Sequence, residues 1–177
     1  MFQGNIELLF HPDVFFSRKQ NEEISLVIPA IIVGIGGAAI FFLVLPFIFW
    51  ILIAGILYVF SRFFSGTGSF PKTLQNCGYG YLPQTILSPI VIINGIVLAG
   101  SIGTSSMLLT EVLLVVGIIS FLSIFWSGWL WAVAMEKTHT LSRGKAMVGA
   151  AFVVLLYLSP VVLNIFAHFR ANGFPAL

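Results

Sequence analysis

The chain has 177 residues, of which 59% are hydrophobic and only 8% are charged, and its mean hydropathy is +1.07. Soluble globular domains carry about a quarter charged residues, so this composition excludes an ordinary soluble domain and indicates one compact domain within a lipid bilayer. The net charge of +2 contains no run of like charges, which excludes a nucleic-acid-binding arm, and the single Cys77 excludes an internal disulfide.

Five apolar stretches predict five membrane-spanning helices. A helix needs about 20 apolar residues to span a bilayer, and the 38 uncharged residues at 24–61 have room for two. We expect these at 24–43 and 46–62, because Pro46 is tolerated in the first turn of a new helix but breaks a continuing one. The fold class is therefore all-α, a polytopic membrane helical bundle that forms one domain over residues 1–177. The other three spans are predicted at 82–103, 112–134 and 146–169.

The distribution of positive charge supports this count and gives the orientation. Lys and Arg are enriched in loops that face the cytoplasm. With five spans and a cytoplasmic N-terminus, only Arg170 lies outside. Seven cations lie inside: Arg18, Lys19, Arg62, Lys72, Lys137, Arg143 and Lys145. One long helix over 24–61 would leave three cations inside and five outside. We therefore expect a protein integral to the cell membrane, with its C-terminus outside.

Two segments outside the spans are predicted to lie on the cytoplasmic membrane surface. Residues 5–20 mix large apolar side chains with charges. Residues 63–81 begin with a flexible glycine-rich stretch and continue with a Ser/Pro helix start, which predicts a short interfacial helix that Gly78 ends. Such helices hold an apolar face in the headgroup layer. Membrane anchoring is the simpler interpretation of both segments, and docking of a partner is the alternative.

Two Ser-Pro pairs form the candidate polar site inside the membrane. Each is followed by an asparagine: Ser88, Pro89 and Asn94 in the third span, and Ser159, Pro160 and Asn164 in the fifth. A proline frees a backbone carbonyl one turn back, which a bound solute or a neighbouring helix can use. Broken helices in matching positions point to a transport site. Helix kinking with an interhelical amide hydrogen bond explains the same residues without transport.

The sequence lacks the residue sets of intramembrane enzymes. Asp13 is the only aspartate, which excludes an aspartyl dyad, and no His-Glu-x-x-His helix is present to bind zinc. Ser127 lacks the glycine two residues earlier that a strained nucleophile turn needs. We therefore expect no enzyme activity, no catalytic residue, no metal and no cofactor.

Four short motifs follow one another along the chain. They are a Pro-then-Phe segment at 9–16, Gly-Tyr-Gly-Tyr-Leu-Pro at 78–83, a Trp-bearing stretch at 126–131 and His-Thr-Leu-Ser-Arg-Gly-Lys-Ala at 139–146. Their order resembles the Yip family, the Ypt/Rab-interacting polytopic membrane proteins. The resemblance implies a five-span bundle with a cytoplasmic N-terminus. Eukaryotic members have a longer N-terminal region and are associated with Rab-type GTPases, whereas this short single-domain chain looks like the prokaryotic members.

Two functional interpretations follow: a non-enzymatic membrane scaffold or adaptor, and a small-solute or ion transporter or channel that uses the Ser-Pro/Asn residues. We favour the adaptor, because the residue sets of enzymes are absent, the spans are poor in polar residues and two segments are predicted to lie on the membrane surface. The expected partners are membrane lipids, a protein at the cytoplasmic face and a second copy of the chain, but not nucleic acid. The candidate interaction surface comprises Pro12, Phe15, Phe16, Phe70, Lys72, Gly78, Tyr79, Tyr81, Pro83, Lys137, His139, Arg143 and Lys145.

Overall fold

The structure is a computed structural model that describes residues 7–20, 22–37, 45–100 and 107–172. Within these ranges a helical turn at 7–10 precedes seven longer helices: α1 (Pro12–Lys19), α2 (Val27–Gly37), α3 (Leu45–Phe63), α4 (Phe70–Tyr79), α5 (Leu82–Gly100), α6 (Met107–His139) and α7 (Arg143–Asn172). The described residues form helices, turns and bends but no β-strand. This confirms the predicted all-α class.

The last two helices are longer than a bilayer requires. α6 has 33 residues and α7 has 30, so at 1.5 Å per residue they measure about 50 and 45 Å. The hydrocarbon core of a bilayer is about 30 Å thick. Both helices are therefore longer than such a core is thick, and α6 continues beyond the stretch at 112–134 that is predicted to span it.

Two stretches of the described residues are long and apolar enough to cross a membrane: α3 and Leu114–His139 of α6. α3 begins one residue before Pro46, where the sequence predicts a new helix. It exposes large apolar side chains such as Ile51 and Leu52, which fits a surface covered by acyl chains. The end of the first predicted span, at 38–43, lies outside the described residues. The number of five crossings stays a prediction.

The helices pack around α6. α6 and α7 form a hairpin joined by a short turn at Thr140, which has a positive φ of 54°. α5 packs against α6 and α2, while α3 contacts α2, α4 and α7. α4 lies among α2, α3 and α6, and α1 packs against α6. α4 is thus an internal part of the bundle.

The buried core lies where α6 ends and α7 begins. All six residues at 130–135 of α6 are buried. α1, the segment at 61–69, α4 and the segment at 136–145 surround this core. We call these four segments the polar end, because most of the charged residues in the described part of the chain gather there.

Gly80 marks a close approach of the backbone to the core. A Cβ atom at this position would overlap the indole ring of Trp131. That ring is fully buried, and its Nε1 donates a hydrogen bond to the Cys77 carbonyl at 3.0 Å.

We expect Gly80→Ala to lower the free energy of unfolding by about 1–3 kcal/mol through overpacking, measured by denaturant unfolding in detergent. Gly55→Ala in α3 is the matched control, because a Cβ there meets no atom within 4 Å. Equal free energies of unfolding for the two variants would contradict the close contact between the Gly80 backbone and the Trp131 ring.

Candidate functional site at the polar end

α4 carries polar side chains into the core of the polar end. Thr73, Gln75 and Asn76 are almost fully buried. Thr73 Oγ1 lies 2.7 Å from His139 Nε2 and 2.9 Å from the Ser69 carbonyl oxygen. A hydroxyl has a single hydrogen, and because Thr73 donates it to Ser69, its oxygen accepts a hydrogen bond from a protonated Nε2 of His139. This bond ties α4 to the last residue of α6.

A second hydrogen bond joins the same two helices. Asn76 Nδ2 donates to Thr138 Oγ1 at 2.7 Å. Asn76 follows Thr73 by three residues, so both side chains lie on one face of α4, opposite the end of α6. Buried polar groups that lose their partners are costly, so the two bonds resist sliding or rotation of α4 against α6.

Gly66 and Gly68 bring the neighbouring loop against His139. A Cβ atom at Gly68 would lie 2.9 Å from His139 Nδ1, and one at Gly66 would lie 2.8 Å from the Ser61 carbonyl oxygen. Between them, Thr67 donates its backbone N–H to the His139 carbonyl at 3.3 Å. The sequence predicts flexibility from these glycines, whereas in the structure they permit a close approach to the end of α6.

α1 docks on the polar end through its aromatic face. Phe15 packs edge-on against Tyr79, with ring centroids 5.0 Å apart, and Phe16 is fully buried. On the opposite side, Phe10 and Val14 are 70% and 56% exposed. The sequence predicts a segment that lies on the membrane surface. In the structure Phe15 and Phe16 face the protein, because Tyr79 and the core beneath it offer them a packing surface. Contact of the exposed side with the membrane surface stays a prediction.

Charged contacts accompany this docking. Asp13 of α1 pairs with Arg143 at the start of α7, with 2.6 Å between Oδ1 and Nη2. Arg143 also donates from Nε to Glu136 Oε2 at 2.8 Å, and the Gln20 side chain donates to the Lys137 carbonyl. Exposed ion pairs contribute at most about 1 kcal/mol. They orient α1, while the aromatic contacts stabilise its position.

Lys72 and Cys77 of α4 have shifted pKa values. Lys72 is 8% exposed, and its Nζ donates to the Glu22 carbonyl at 2.9 Å. Burial lowers the pKa of the Lys72 ammonium, and the nearby Glu22 carboxylate partly offsets that effect. Burial raises the pKa of the Cys77 thiol, so the thiol stays protonated at neutral pH. Cys77 is therefore a packing residue and not a reactive nucleophile.

Most residues of the predicted interaction surface are buried in the structure. The buried ones are Pro12, Phe15, Phe16, Lys72, Gly78, Tyr79, Tyr81, Pro83 and His139. Phe70 and Lys137 are partly buried, while Arg143 and Lys145 are exposed. The helix predicted in 63–81 is present as α4, but it continues through Gly78. Its buried residues face other helices, and contact of this helix with the headgroup layer stays a prediction.

The two predicted Ser-Pro pairs form hydrogen bonds within their own helices. Ser88 Oγ donates to the Thr85 carbonyl at 2.8 Å, and Ser159 Oγ donates to the Leu156 carbonyl at 2.7 Å. Pro89 is exposed. Three side chains of this candidate site lie outside the described residues: Asn94, Pro160 and Asn164. The transport site therefore stays a prediction.

Sequence reasoning missed the polar side chains that join α4 to α6: Thr73, Asn76 and Thr138. It assigned their segments to an interfacial helix and a cytoplasmic turn, where water and headgroups can serve polar groups without a protein partner. The available signal is the three-residue spacing of Thr73 and Asn76, which places both on one helix face. Among the described residues, no group of three or more His, Cys, Asp or Glu side chains is placed to hold a metal ion.

These features define an all-helical membrane protein with a hydrogen-bonded polar end. Residues 32–163 match the model of the Yip1 domain. The chain therefore belongs to the Yip1 domain family, which confirms the resemblance carried by the four motifs. It is also similar to an uncharacterised protein of Methanocaldococcus jannaschii, with 31% identity over 49% of this chain and 84% of that relative. No solved structure matches the chain.

The Thr73–His139 bond can be tested by an isosteric substitution. Thr73→Val removes the hydroxyl and leaves a buried imidazole N–H without its partner. We expect the free energy of unfolding to fall by about 1–3 kcal/mol, measured by denaturant titration in detergent. The control is Thr67→Val, since Thr67 is exposed and its hydroxyl contacts only the exposed Thr140 hydroxyl. This variant should stay within about 0.5 kcal/mol of the native chain. If both variants lost a similar free energy of unfolding, the buried Thr73–His139 hydrogen bond would not stabilise the protein more than an exposed one.

Proposed function

We propose that the protein is a non-enzymatic membrane scaffold or adaptor, and that a docking rim on the polar end binds its partner. The docking rim comprises Arg62, Phe63, Thr67, Gly144 and Lys145, which are all exposed. One observation carries the proposal. α3 and the adjoining helices expose apolar side chains, while the charged residues gather at the polar end, where hydrogen bonds fix α4 against α6. Membership of the Yip1 domain family is consistent with a non-enzymatic membrane role.

The docking rim combines positive charge with an exposed aromatic ring. Phe63 is 79% exposed at the end of α3, directly after Arg62. Lys145 lies over the ring of Phe64 at 5.9 Å from its centroid. Within the described ranges, neither Arg62 nor Lys145 lies within ion-pair distance of a carboxylate. This uncompensated charge beside an apolar ring fits a protein partner with an acidic face around an apolar centre.

The same charges support a cytoplasmic location for the polar end. Cations on α1, α4, the end of α3 and both sides of the α6–α7 turn all belong to it. Such clustering is typical of the cytoplasmic side of membrane proteins. The proposed topology therefore keeps five spans, with the polar end inside and the end of α7 outside.

Side-specific labelling tests this orientation. Gly144→Cys and Arg170→Cys place thiols near opposite ends of α7. We expect a membrane-impermeant maleimide to label position 144 only in inside-out vesicles and position 170 only in intact cells. The unmodified chain is the control, because Cys77 is fully buried and should not react. Labelling of both positions from one side would mean that α7 does not cross the membrane and would overturn the five-span topology.

Site-specific photocrosslinking tests the docking rim. A photoreactive phenylalanine analogue at position 63 should form a discrete protein adduct in native membranes. The matched control is position 163, because Leu163 is also largely exposed but lies on α7 away from the polar end; it should capture lipid alone. In a chain that also carries Arg62→Glu and Lys145→Glu, the adduct at position 63 should be lost, since an acidic partner would be repelled. These substitutions also remove the hydrogen bond from Arg62 to the Gly66 carbonyl and the contact of Lys145 with the Phe64 ring. Denaturant unfolding of the substituted chain is therefore the control that shows it is folded.

Two outcomes of the crosslinking experiment would contradict the adaptor proposal. One is lipid capture alone at position 63, as at position 163. The other is a protein adduct that survives charge reversal, because the positive docking rim would then not select the partner.

A further inference from the structure

Polar side chains line the contact between α5 and α6. Tyr81, which directly precedes α5, packs against Trp131 of α6 with ring centroids 5.4 Å apart. α5 leads away from the polar end and α6 returns to it, so the two helices run antiparallel. One turn away from the Tyr81–Trp131 contact, Gln84 on α5 therefore lies opposite Ser127 on α6. The contact thus pairs polar residues from both helices.

Three side-chain atoms in this contact have no hydrogen-bond partner among the described residues: Gln84 Oε1, Gln84 Nε2 and Ser127 Oγ. All three are inaccessible to solvent, and the buried Tyr81 hydroxyl, which faces the Tyr157 hydroxyl of α7, keeps further hydrogen-bonding capacity. Ser127 is fully buried and Tyr81 is 6% exposed. Within a membrane bundle no bulk water reaches such groups, and an unmet hydrogen-bonding group is costly. Each of them therefore requires a partner.

A further turn along both helices continues the line of polar residues. Ser88 on α5 then lies opposite Ser123 on α6, and both are buried. Their hydroxyls donate to the carbonyls of Thr85 and Ser120 at 2.8 and 2.6 Å, so each oxygen still has acceptor capacity. We call this line the polar seam; it comprises Tyr81, Gln84, Ser88, Ser123 and Ser127.

The polar seam continues toward the polar end. Gln75 Oε1 and Asn76 Oδ1 of α4 are buried and also lack partners among the described residues. Between them and the seam, Trp131 Nε1 donates to the Cys77 carbonyl. The unmet polar atoms thus follow one another from α4 into the α5–α6 contact.

We propose that the polar seam is an internal binding site for small uncharged hydrogen-bonding molecules, and that water fills it. A buried water makes two to four hydrogen bonds and both donates and accepts. The seam offers the same mixture, because the Gln84 amide donates and accepts, and the Tyr81 and Ser127 hydroxyls do both. None of the five side chains is ionisable near neutral pH, so the seam lacks the charge that would compensate a buried ion. This site is independent of the docking rim, and either proposal can fail alone.

Water-edited solid-state NMR of the full chain in lipid bilayers tests the site. Magnetisation should pass from water to the side chains of Gln84 and Ser127 and to the Tyr81 ring. The exposed Thr67 is the positive control, and Ala54, a fully buried residue of α3, is the negative control. Transfer to the seam as at Thr67, with none at Ala54, would support the proposal. Transfer at Thr67 alone would overturn it, because the seam side chains must then bond to one another without water.

A pair of variants locates the water. Gln84→Leu should abolish the water signal at Tyr81 and Ser127, since it removes the amide from the middle of the seam. Ser159→Ala is the control, because Ser159 lies on α7 and its hydroxyl donates within its own helix; the seam signals should not change. An undiminished signal in Gln84→Leu would place the water elsewhere and contradict the site. The measurement on the native chain stands even if this variant does not fold.

Discussion

The indole of Trp131 is the contact on which the polar end depends. Its ring is fully buried and packs against Tyr81 and Tyr157, at centroid distances of 5.4 and 6.3 Å. A buried indole N–H needs an acceptor, and the Cys77 carbonyl near the end of α4 provides one at 3.0 Å. The same carbonyl also accepts the Gly80 backbone N–H at 3.0 Å, and because a carbonyl oxygen has two lone pairs it can accept both bonds. One side chain of α6 thereby connects α4, α5 and α7.

The position of α4 then determines what the remaining segments can do. With its C-terminal turn held by Trp131, the helix presents Thr73 and Asn76 to the end of α6. Tyr79, two residues after Cys77, faces outward to receive Phe15 of α1. The polar hydrogen bonds and the docking of α1 are thus both consequences of where α4 lies.

Local features of the fold could be read from the sequence, and the position of α4 could not. Pro46 predicts the start of α3 because the steric effect of proline acts within one helical turn. The pairing of Thr73 with His139 joins residues 66 positions apart, and no local pattern indicates it. The motif at 78–83 resembles a known family, yet that resemblance does not say whether its tyrosines face a partner or the core. In the structure Tyr79 and Tyr81 are both buried, so the motif acts through packing.

α1 is held by two kinds of contact, exposed ion pairs and buried aromatic packing, and their different strengths decide how a partner could bind the polar end. The ion pair between Asp13 and Arg143 is exposed and contributes little, whereas complete loss of a buried aromatic contact such as that of Phe15 costs about 3–5 kcal/mol. A partner that replaced α1 would therefore have to compensate for the aromatic contacts as well as the charges. A partner on the docking rim would bind Arg62 and Lys145 without disturbing α1, because neither residue takes part in an ion pair with it in the described structure. Energetically, binding beside α1 is favoured over displacing it.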